Sequence, residues 1–213
     1  INMICAAKFI VNSEFSEVGI CMHSSMDDDK CWILPGLKSR KFHSSRRDAF
    51  QAVNTKPYAL IGIDGKIKII DNSFKKKDGN LNVKIDLFDE KLKIGILKVH
   101  PSMNVNGIPS GMDGLIVEGT GLGHMPVNLD SKIFNKLKSL KIPVVMCSQT
   151  VFGRVNMNVY STGRKLQEFI ISGSDMTSET AFMKLAWLLS NKLDISLISK
   201  NLKGEINERI SDE

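Results

Sequence analysis

The sequence predicts an α/β protein with a parallel sheet in a three-layer arrangement and a second, smaller α/β domain. Two observations predict this class. From Leu92 onward, short apolar segments alternate with segments whose apolar residues recur at helical spacing, as in strand–helix–strand units. Before that point, residues 58–70 alternate lysine with isoleucine after Asp64-Gly65, which is typical of a β-hairpin.

The amino-terminal part begins with an apolar segment, residues 1–11, which predicts a buried helix. Residues 18–22 and 31–34 predict neighbouring strands. Residues 24–30 lie between them and contain three adjacent aspartates. Consecutive side chains point in different directions and lack the spacing of a calcium loop, so a solvated turn is favoured over a cation site.

The region that joins the two parts starts at the hairpin. Asp64-Gly65 predicts a two-residue turn between its strands. Residues 71–89 are polar, rich in lysine and asparagine, and have no helical face. This composition predicts a linker.

The carboxyl-terminal part predicts alternating strands and helices. The predicted strands are residues 92–99, 114–117 and 143–147, with a short fourth strand at 169–171. The predicted helices are residues 129–140, 161–168, 177–190 and 194–208, the first with Asn128 or Asp130 as N-cap and the third with Phe182, Leu185, Ala186 and Leu189 on one face. Such alternation implies a parallel sheet with right-handed crossovers.

A glycine loop follows the second of these strands, with glycine at positions 119, 121 and 123. Glycine has no Cβ and tolerates positive φ, so this backbone can approach a partner closely. A dinucleotide fingerprint would need a glycine where His124 stands, and a carboxylate after the next strand, which ends at Ser148-Gln149. The sequence therefore argues against a dinucleotide site.

Loops 119–126 and 148–158 are nevertheless expected at one edge of the sheet, where α/β folds place ligand clefts. Gly121, His124, Ser148 and Gln149 are the candidate binding or loop-supporting residues there. For His124 the alternative is a hydrogen-bonded structural role.

The segment of residues 38–47 is strongly basic: five of its ten residues are cations, and Asp48 is the first acid. Crowded like charges lower the pKa of a lysine, so one of these could act as a general base. From composition alone, a solvated basic loop is favoured.

Composition limits the remaining classes. The 213 residues carry a net charge of +6, which suits an anionic partner but also serves solubility. The longest apolar segments are far below the roughly 18 residues of a membrane span, so we expect a soluble protein. Four dispersed cysteines and four dispersed histidines predict reduced thiols and no metal site. The first residue is isoleucine, which suggests that the chain begins inside a longer gene product.

Three segments together carry a family resemblance: SRKFHSSRRDAF at 39–50, GLIVEGTGLGH at 114–124 and MCSQTVFGRVNMNVYSTGR at 146–164. The chain resembles the asparaginase-like D subunit of archaeal glutamyl-tRNA(Gln) amidotransferases, which is related to the bacterial-type L-asparaginases. The resemblance implies part of an asparaginase-like catalytic domain at 1–75, a linker at 76–91 and the carboxyl-terminal α/β domain at 92–213.

The resemblance also implies partners and a cellular role. The D subunit releases ammonia from glutamine or asparagine. The E subunit of the amidotransferase uses ATP and Mg to activate the misacylated glutamate on tRNA(Gln) and receives that ammonia. We therefore expect the E subunit and tRNA(Gln) as partners, a homodimer of the D subunit, a cytoplasmic location and no cofactor bound by this chain.

The resemblance places the family's catalytic lysine on Lys41, with Ser45 and Asp48 holding the same loop. In this family a threonine hydroxyl attacks the amide, and a second threonine, an aspartate and the lysine activate it. The threonines belong to Gly-Gly-Thr and His-Gly-Thr-Asp stretches, and neither stretch occurs in the 213 residues. We therefore expect a catalytic domain that is only partly present and a chain that cannot hydrolyse an amide alone. The alternatives are a stand-alone L-asparaginase and a non-catalytic α/β interaction module.

Overall fold

A computed structural model of the chain describes residues 1–79, 84–125 and 131–209. Two compact units lie within Ile1–Lys84 and Ile85–Ile210. The proposed N-cap residues Asn128 and Asp130 and the end of the predicted glycine loop at Pro126 lie outside the described residues. The N-cap prediction is wrong, because Ser131 caps the helix that begins at Lys132: its hydroxyl accepts the N–H of Phe134 at 3.1 Å.

The first unit pairs a helix with antiparallel strands. Its elements are α1 (Asn2–Asn12), β1 (Gly19–His23), β2 (Lys30–Pro35), β3 (Ser39–Lys41), β4 (Phe50–Ala52), β5 (Ala59–Gly62) and β6 (Ile67–Ile69). A four-stranded sheet has the order β1-β2-β5-β6, and β3 and β4 form a separate two-stranded sheet. The predicted helix and the two predicted neighbouring strands are confirmed.

Helix α1 is apolar on both faces, but only one face is buried. Cys5 and Phe9 are buried against the sheet, whereas the side chains of Met3 and Val11 are 87% and 77% exposed. The prediction of a buried helix is therefore wrong for one of its faces, because the described residues cover only the other.

The hairpin of β5 and β6 has a longer turn than predicted. The N–H of Gly62 donates to the carbonyl of Lys66 at 3.0 Å, which leaves residues 63–65 as the loop. The N–H of Ile63 donates instead to the carbonyl of Asp29 at 2.8 Å, outside the hairpin. The two-residue turn is thus one residue too short, and Gly65 takes the positive φ of 90° that the turn requires.

The segment that follows this hairpin is not simply a linker. Phe74 is buried and its ring centroid lies 5.3 Å from that of Phe15 and 5.6 Å from that of Tyr58. The N–H of Lys77 donates to the carbonyl of Glu14 at 2.8 Å. The linker prediction is therefore wrong for residues 71–77, because an aromatic cluster holds them to the first unit.

The second unit contains the predicted parallel sheet. Its strands are β7 (Ile94–Lys98), β8 (Gly114–Gly119), β9 (Val144–Ser148) and β10 (Ile171–Ser172), in the order β10-β9-β8-β7. Its helices are α2 (Lys132–Lys138), α3 (Ser161–Leu166) and α4 (Ser178–Ser190), with 3₁₀ turns at Val105–Gly107 and Ile195–Ser199. All three strand pairings are parallel, as predicted.

Two apolar cores cover the two faces of this sheet. Leu115 and Val117 pack with Leu137 of α2 in one core, and Ile116 packs with Leu185 of α4 in the other. Successive strand residues point to opposite faces, so a strand buried on both sides reads as a continuous apolar run. This unit therefore has the predicted three layers.

Two details of the second unit differ from prediction. The inward face of α4 is formed by Ala181, Leu185 and Leu188, so the predicted face is rotated by about one residue. The predicted helix at 194–208 is wrong, because only Ile195–Ser199 forms a 3₁₀ turn. The carboxylate of Glu205 accepts the N–H groups of Leu202 and Lys203, which a helix would have bonded internally. Within the described ranges, no helix is long and apolar enough to cross a membrane.

Candidate functional site

Lys41 is the last residue of strand β3 and lies opposite Phe50 of β4. The N–H of Phe42 donates to the carbonyl of Ala49 at 2.7 Å, which extends this pairing beyond the strands. Residues 43–48 therefore form a loop that closes the hairpin. The side chain of Lys41 is exposed at the base of this loop.

Two side chains hold this loop in shape. Nδ1 of His43 accepts the backbone N–H groups of Ser45 and Arg46, both at 3.1 Å. The guanidinium of Arg46 donates two hydrogen bonds of 2.8 Å to the carboxylate of Asp48. These bonds from Arg46 keep the pKa of Asp48 below its ordinary value. Ser45 thus stabilises the loop through its backbone N–H, and Asp48 stabilises it through its carboxylate.

The acidic turn at 24–30 contacts the same loop. Asp28 forms an ion pair with Arg47 and accepts a 2.8 Å hydrogen bond from Nε2 of His23. The pKa of Asp28 is lowered by Arg47 first and by His23 second. The interpretation of these aspartates as a solvated turn is therefore incomplete, because one of them fixes the basic segment.

These contacts distinguish Lys41 from the other cations of residues 38–47, all of which are described. Arg46 and Arg47 are paired with carboxylates. Lys38 and Arg40 are each engaged in an interaction within the structure. The side chain of Lys41 makes no hydrogen bond or ion pair with the described part of the chain. Its amine is therefore available to a group from elsewhere.

A cleft of about 270 Å³ lies beside β4 in the same unit. Trp32, Phe50 and Pro57 supply its apolar wall, and Asp48 and Gln51 supply polar groups. Lys41 does not line it. The cleft and the exposed amine are therefore separate features of this unit.

The glycine loop of the second unit turns tightly after β8. Thr120 and His124 exchange two backbone hydrogen bonds, of 2.8 and 2.9 Å. Gly121 and Gly123 have positive φ values of 50° and 97°. A Cβ at Gly123 would lie 2.8 Å from a methyl group of Val155, so that position also needs glycine for space.

The loop after β9 packs on this glycine loop, as predicted for the carboxyl edge of the sheet. The hydroxyl of Ser148 donates to the carbonyl of Gly121 at 2.7 Å. The side-chain amide of Gln149 donates to the carbonyls of Val99 and Glu118 at 2.6 and 2.8 Å. Both candidates thus use their donor atoms to brace loops against each other.

His124 differs from its neighbours because one of its ring nitrogens is unpartnered. Its ring meets that of Tyr160 edge-on, with centroids 4.8 Å apart. Nε2 is shielded from solvent and has no hydrogen-bond partner among the described residues. A structural role for His124 would therefore depend on the contact of its ring with Tyr160 and on its backbone hydrogen bonds with Thr120.

The predicted site residues therefore fall into two groups, Lys41, Ser45 and Asp48 in the first unit and Gly121, His124, Ser148 and Gln149 in the second. Their roles stay predictions. Sequence reasoning missed His43, whose position two and three residues before the N–H groups it caps is a recognisable local signal. It also missed the pairing of Asp28 with Arg47, which lie 19 positions apart and carry no such signal. Across residues 1–79, 84–125 and 131–209, no cluster of His, Cys, Asp and Glu is arranged to hold a metal.

Comparison with known proteins agrees with this architecture. The family model "Asparaginase, N-terminal" matches residues 1–75, and "Glutaminase/Asparaginase C-terminal domain" matches residues 93–202. The glutamyl-tRNA(Gln) amidotransferase D subunit of Methanobrevibacter smithii is 41% identical over 99% of this chain and 49% of that protein. The chain thus spans about half the length of the curated relatives that it matches.

Solved structures that superpose on this chain include two L-asparaginases. The thermostable L-asparaginase from Thermococcus kodakarensis superposes with a TM-score of 0.81 at 23% identity, over 98% of this chain and 62% of that one. L-asparaginase I from Vibrio cholerae superposes with a TM-score of 0.72 at 28% identity, over 83% of this chain and 55% of that one.

Proposed function

Because the chain belongs to the asparaginase family, we propose that it is part of the ammonia-releasing subunit of an ATP-dependent Glu-tRNA(Gln) amidotransferase. The observation that carries the proposal is the similarity of nearly the whole chain to glutamyl-tRNA(Gln) amidotransferase D subunits. The exposed amine of Lys41, which has no partner among the described residues, is consistent with it. The hairpin and its two capping side chains fix the backbone from which this amine projects.

Lys41 is the general base of the proposed reaction. The amine draws the proton from a threonine hydroxyl, directly or through the second threonine, and the oxygen attacks the amide carbon. The amide nitrogen takes a proton and leaves as ammonia, and water then hydrolyses the acyl-enzyme to the free acid. The 213 residues contain neither threonine stretch of the family, so this hydroxyl comes from other polypeptide.

The remaining partners follow from the same proposal. The amide donor is glutamine or asparagine, and the ammonia passes to the E subunit, which uses ATP and Mg on Glu-tRNA(Gln). The D subunit acts as a homodimer in the cytoplasm. Support for this assignment comes from the names of the relatives, which are glutamyl-tRNA(Gln) amidotransferase subunits.

A chimera tests the proposal. These 213 residues replace the matching half of the Methanobrevibacter smithii D subunit, and ammonia release from glutamine and asparagine is measured. We expect the chimera to release ammonia and the 213-residue chain alone to release none. A chimera that melts cooperatively but releases no ammonia would overturn the proposal, as would ammonia release by the chain alone.

Lys41→Met in the active chimera tests the role of the amine. Loss of a general base lowers the rate about 10²- to 10⁴-fold. The matched control is Lys56→Met, which removes an exposed lysine of the same unit and leaves the rate unchanged. If both variants keep full activity, Lys41 is not the base.

Transfer to tRNA separates the proposal from a stand-alone L-asparaginase, the activity named for the solved structures of this fold. The chimera is mixed with the E subunit, ATP and Glu-tRNA(Gln), and Gln-tRNA(Gln) is measured. Formation of Gln-tRNA(Gln) supports the amidotransferase. Ammonia release without any transfer assigns the asparaginase instead, and neither activity in a folded chimera leaves a non-catalytic module.

A further inference from the structure

Residues 131–168 form a segment that is poor in acidic residues. It contains seven of the chain's 29 lysines and arginines but only one of its 23 aspartates and glutamates, Glu168. The segment therefore carries the whole net charge of +6, and all other residues together are neutral. Cations that lack nearby acids make a candidate surface for an anionic partner.

Two helices of one layer carry five of these seven cations. Ile133 and Leu137 of α2 and Leu166 of α3 point into the same apolar core. The helices are joined at the surface, where the ammonium of Lys138 donates to Glu168 at 2.8 Å. The remaining lysines of the segment are exposed or half-exposed on the outward side: Lys132, Lys136, Lys141 and Lys165.

Little within the described structure neutralises these lysines. Glu168 is already paired with Lys138. Arg154 and Arg164 are committed elsewhere, because they donate to backbone carbonyls of residues 207–208 and 158. Lys132, Lys136 and Lys141 form no ion pair with the described residues, so their charge faces solvent.

We propose that this α2–α3 surface binds the phosphate backbone of RNA. A row of mobile ammonium groups neutralises phosphates and releases their counterions. An acidic protein surface fits less well, since protein interfaces are depleted of lysine and centre on large apolar side chains. Neither α2 nor α3 carries a large hydrophobic side chain that is exposed. The choice of RNA over other polyphosphates rests on the proposed function, whereas the choice of phosphate rests on charge alone.

Fluorescence anisotropy of a labelled short RNA duplex, titrated with the 213-residue chain, tests this proposal. We expect affinity that falls steeply as NaCl is raised from about 50 to 200 mM. The test variant carries Lys132→Gln, Lys136→Gln, Lys141→Gln and Lys165→Gln. We expect its salt slope to fall by about one for each lysine that contacts a phosphate, with a large loss of affinity at low salt.

The matched control removes the same charge elsewhere, through Lys56→Gln, Lys68→Gln, Lys91→Gln and Lys93→Gln, all at exposed positions. Retained binding in the control together with loss in the test variant supports the proposal. Equal loss in both variants, or none in the test variant, overturns it. Competition by poly-glutamate as strong as that by unlabelled RNA also overturns it and assigns an acidic protein partner. Because the assay needs no amide donor, its failure is separate from failure of the amidotransferase proposal.

Discussion

His43 governs the loop beside Lys41 through a single ring nitrogen. Nδ1 accepts the N–H groups of Ser45 and Arg46 at 3.1 Å, which requires an unprotonated Nδ1. We predict that His43→Phe speeds hydrogen exchange at both amides, whereas His43→Asn preserves protection because its side-chain oxygen can accept the same bonds.

Amide exchange measured by NMR at a series of pH values checks this prediction. The N–H of Phe42, which donates to Ala49 in the hairpin, is the internal control and should exchange alike in all three proteins. Equal exchange of Ser45 and Arg46 in the parent chain and in His43→Phe would show that the loop does not depend on this ring.

Glu205 is a buried acid whose charge stabilises the end of the second unit. Its side chain is 3% exposed and lies 2.6 Å from the ammonium of Lys184. Burial acts to raise its pKa, but the hydrogen bonds from Lys184 and from the N–H of Lys203 outweigh burial and lower the pKa. A carboxyl with a lowered pKa stabilises the fold above its unfolded pKa of about 4.3, and this stability is lost as the pH falls through the folded value.

Two variants test this account. Glu205→Gln should remove the acid-dependent part of the unfolding free energy and cost about 3–5 kcal/mol at neutral pH, because Lys184 is left buried and unpaired. Replacing both, Lys184→Met with Glu205→Leu, should recover only part of that loss, because the N–H groups of Leu202 and Lys203 then lose their acceptor. Urea denaturation between about pH 3 and 7 measures both effects. A double variant as unstable as the single one would mean that the lost backbone hydrogen bonds, not the unpaired charge, dominate here.

At the scale of elements, the glycine loop depends on one glycine more than on the other. Gly121 has a φ of 50° and open space around its missing Cβ, so alanine there meets only mild backbone strain. Gly123 has a φ of 97°, and a Cβ there would lie 2.8 Å from Val155 and 3.0 Å from Met146. We predict that Gly123→Ala costs about 2–4 kcal/mol and Gly121→Ala about 1 kcal/mol.

Thermal unfolding of the two glycine variants checks this order. The loss in Gly123→Ala should be accompanied by weaker protection of the Gln149 amide, because its N–H donates to Gly119 at 2.8 Å across the two loops. Equal losses in both variants would contradict the steric argument and leave backbone strain as the only cost.

For the whole molecule, the sequence predicts those helices and strands whose pattern of apolar residues along the chain reflects their burial. The central strands β8 and β9 of the second unit are nearly continuous apolar runs, because both sheet faces are covered there, and they were predictable for that reason. Strands β3 and β4 consist of Ser-Arg-Lys and Phe-Gln-Ala and show no apolar pattern, so only the folded chain reveals their pairing. The predicted helix at 194–208 does not form beyond Ser199, because Glu205 binds the backbone N–H groups that a helix would have used.

The candidate site follows the same division. Loop contacts at the carboxyl edge of the sheet were predictable from topology, because parallel strands end at one edge. Contacts that join distant side chains, such as the ion pair of Asp28 with Arg47, depend on tertiary structure and leave no local trace. Lys41 was identified from a family resemblance. Only the structure shows that its side chain has no partner among residues 1–79, 84–125 and 131–209.

The two compact units should differ in autonomy. In the second unit both sheet faces are covered by apolar cores, and Ser190 and Asn191 at the end of α4 hold residues 87–89. In the first unit, α1 exposes large apolar side chains at Met3, Ile4, Ile10 and Val11. Exposed apolar stripes of this kind favour self-association. We predict that a polypeptide of residues 85–210 folds cooperatively alone and that residues 1–79 alone are less stable.

Thermal unfolding followed by circular dichroism compares the two polypeptides. The melting temperature of 85–210 should exceed that of 1–79 by more than about 5 °C, which corresponds to roughly 1 kcal/mol at this size. Ile10→Lys with Val11→Lys should reduce self-association of 1–79, measured by light scattering, because both side chains are exposed and leave the core of Cys5 and Phe9 intact. If the polypeptide 1–79 is monomeric and has a higher melting temperature than 85–210, then the exposed face of α1 does not reduce the stability of the first unit.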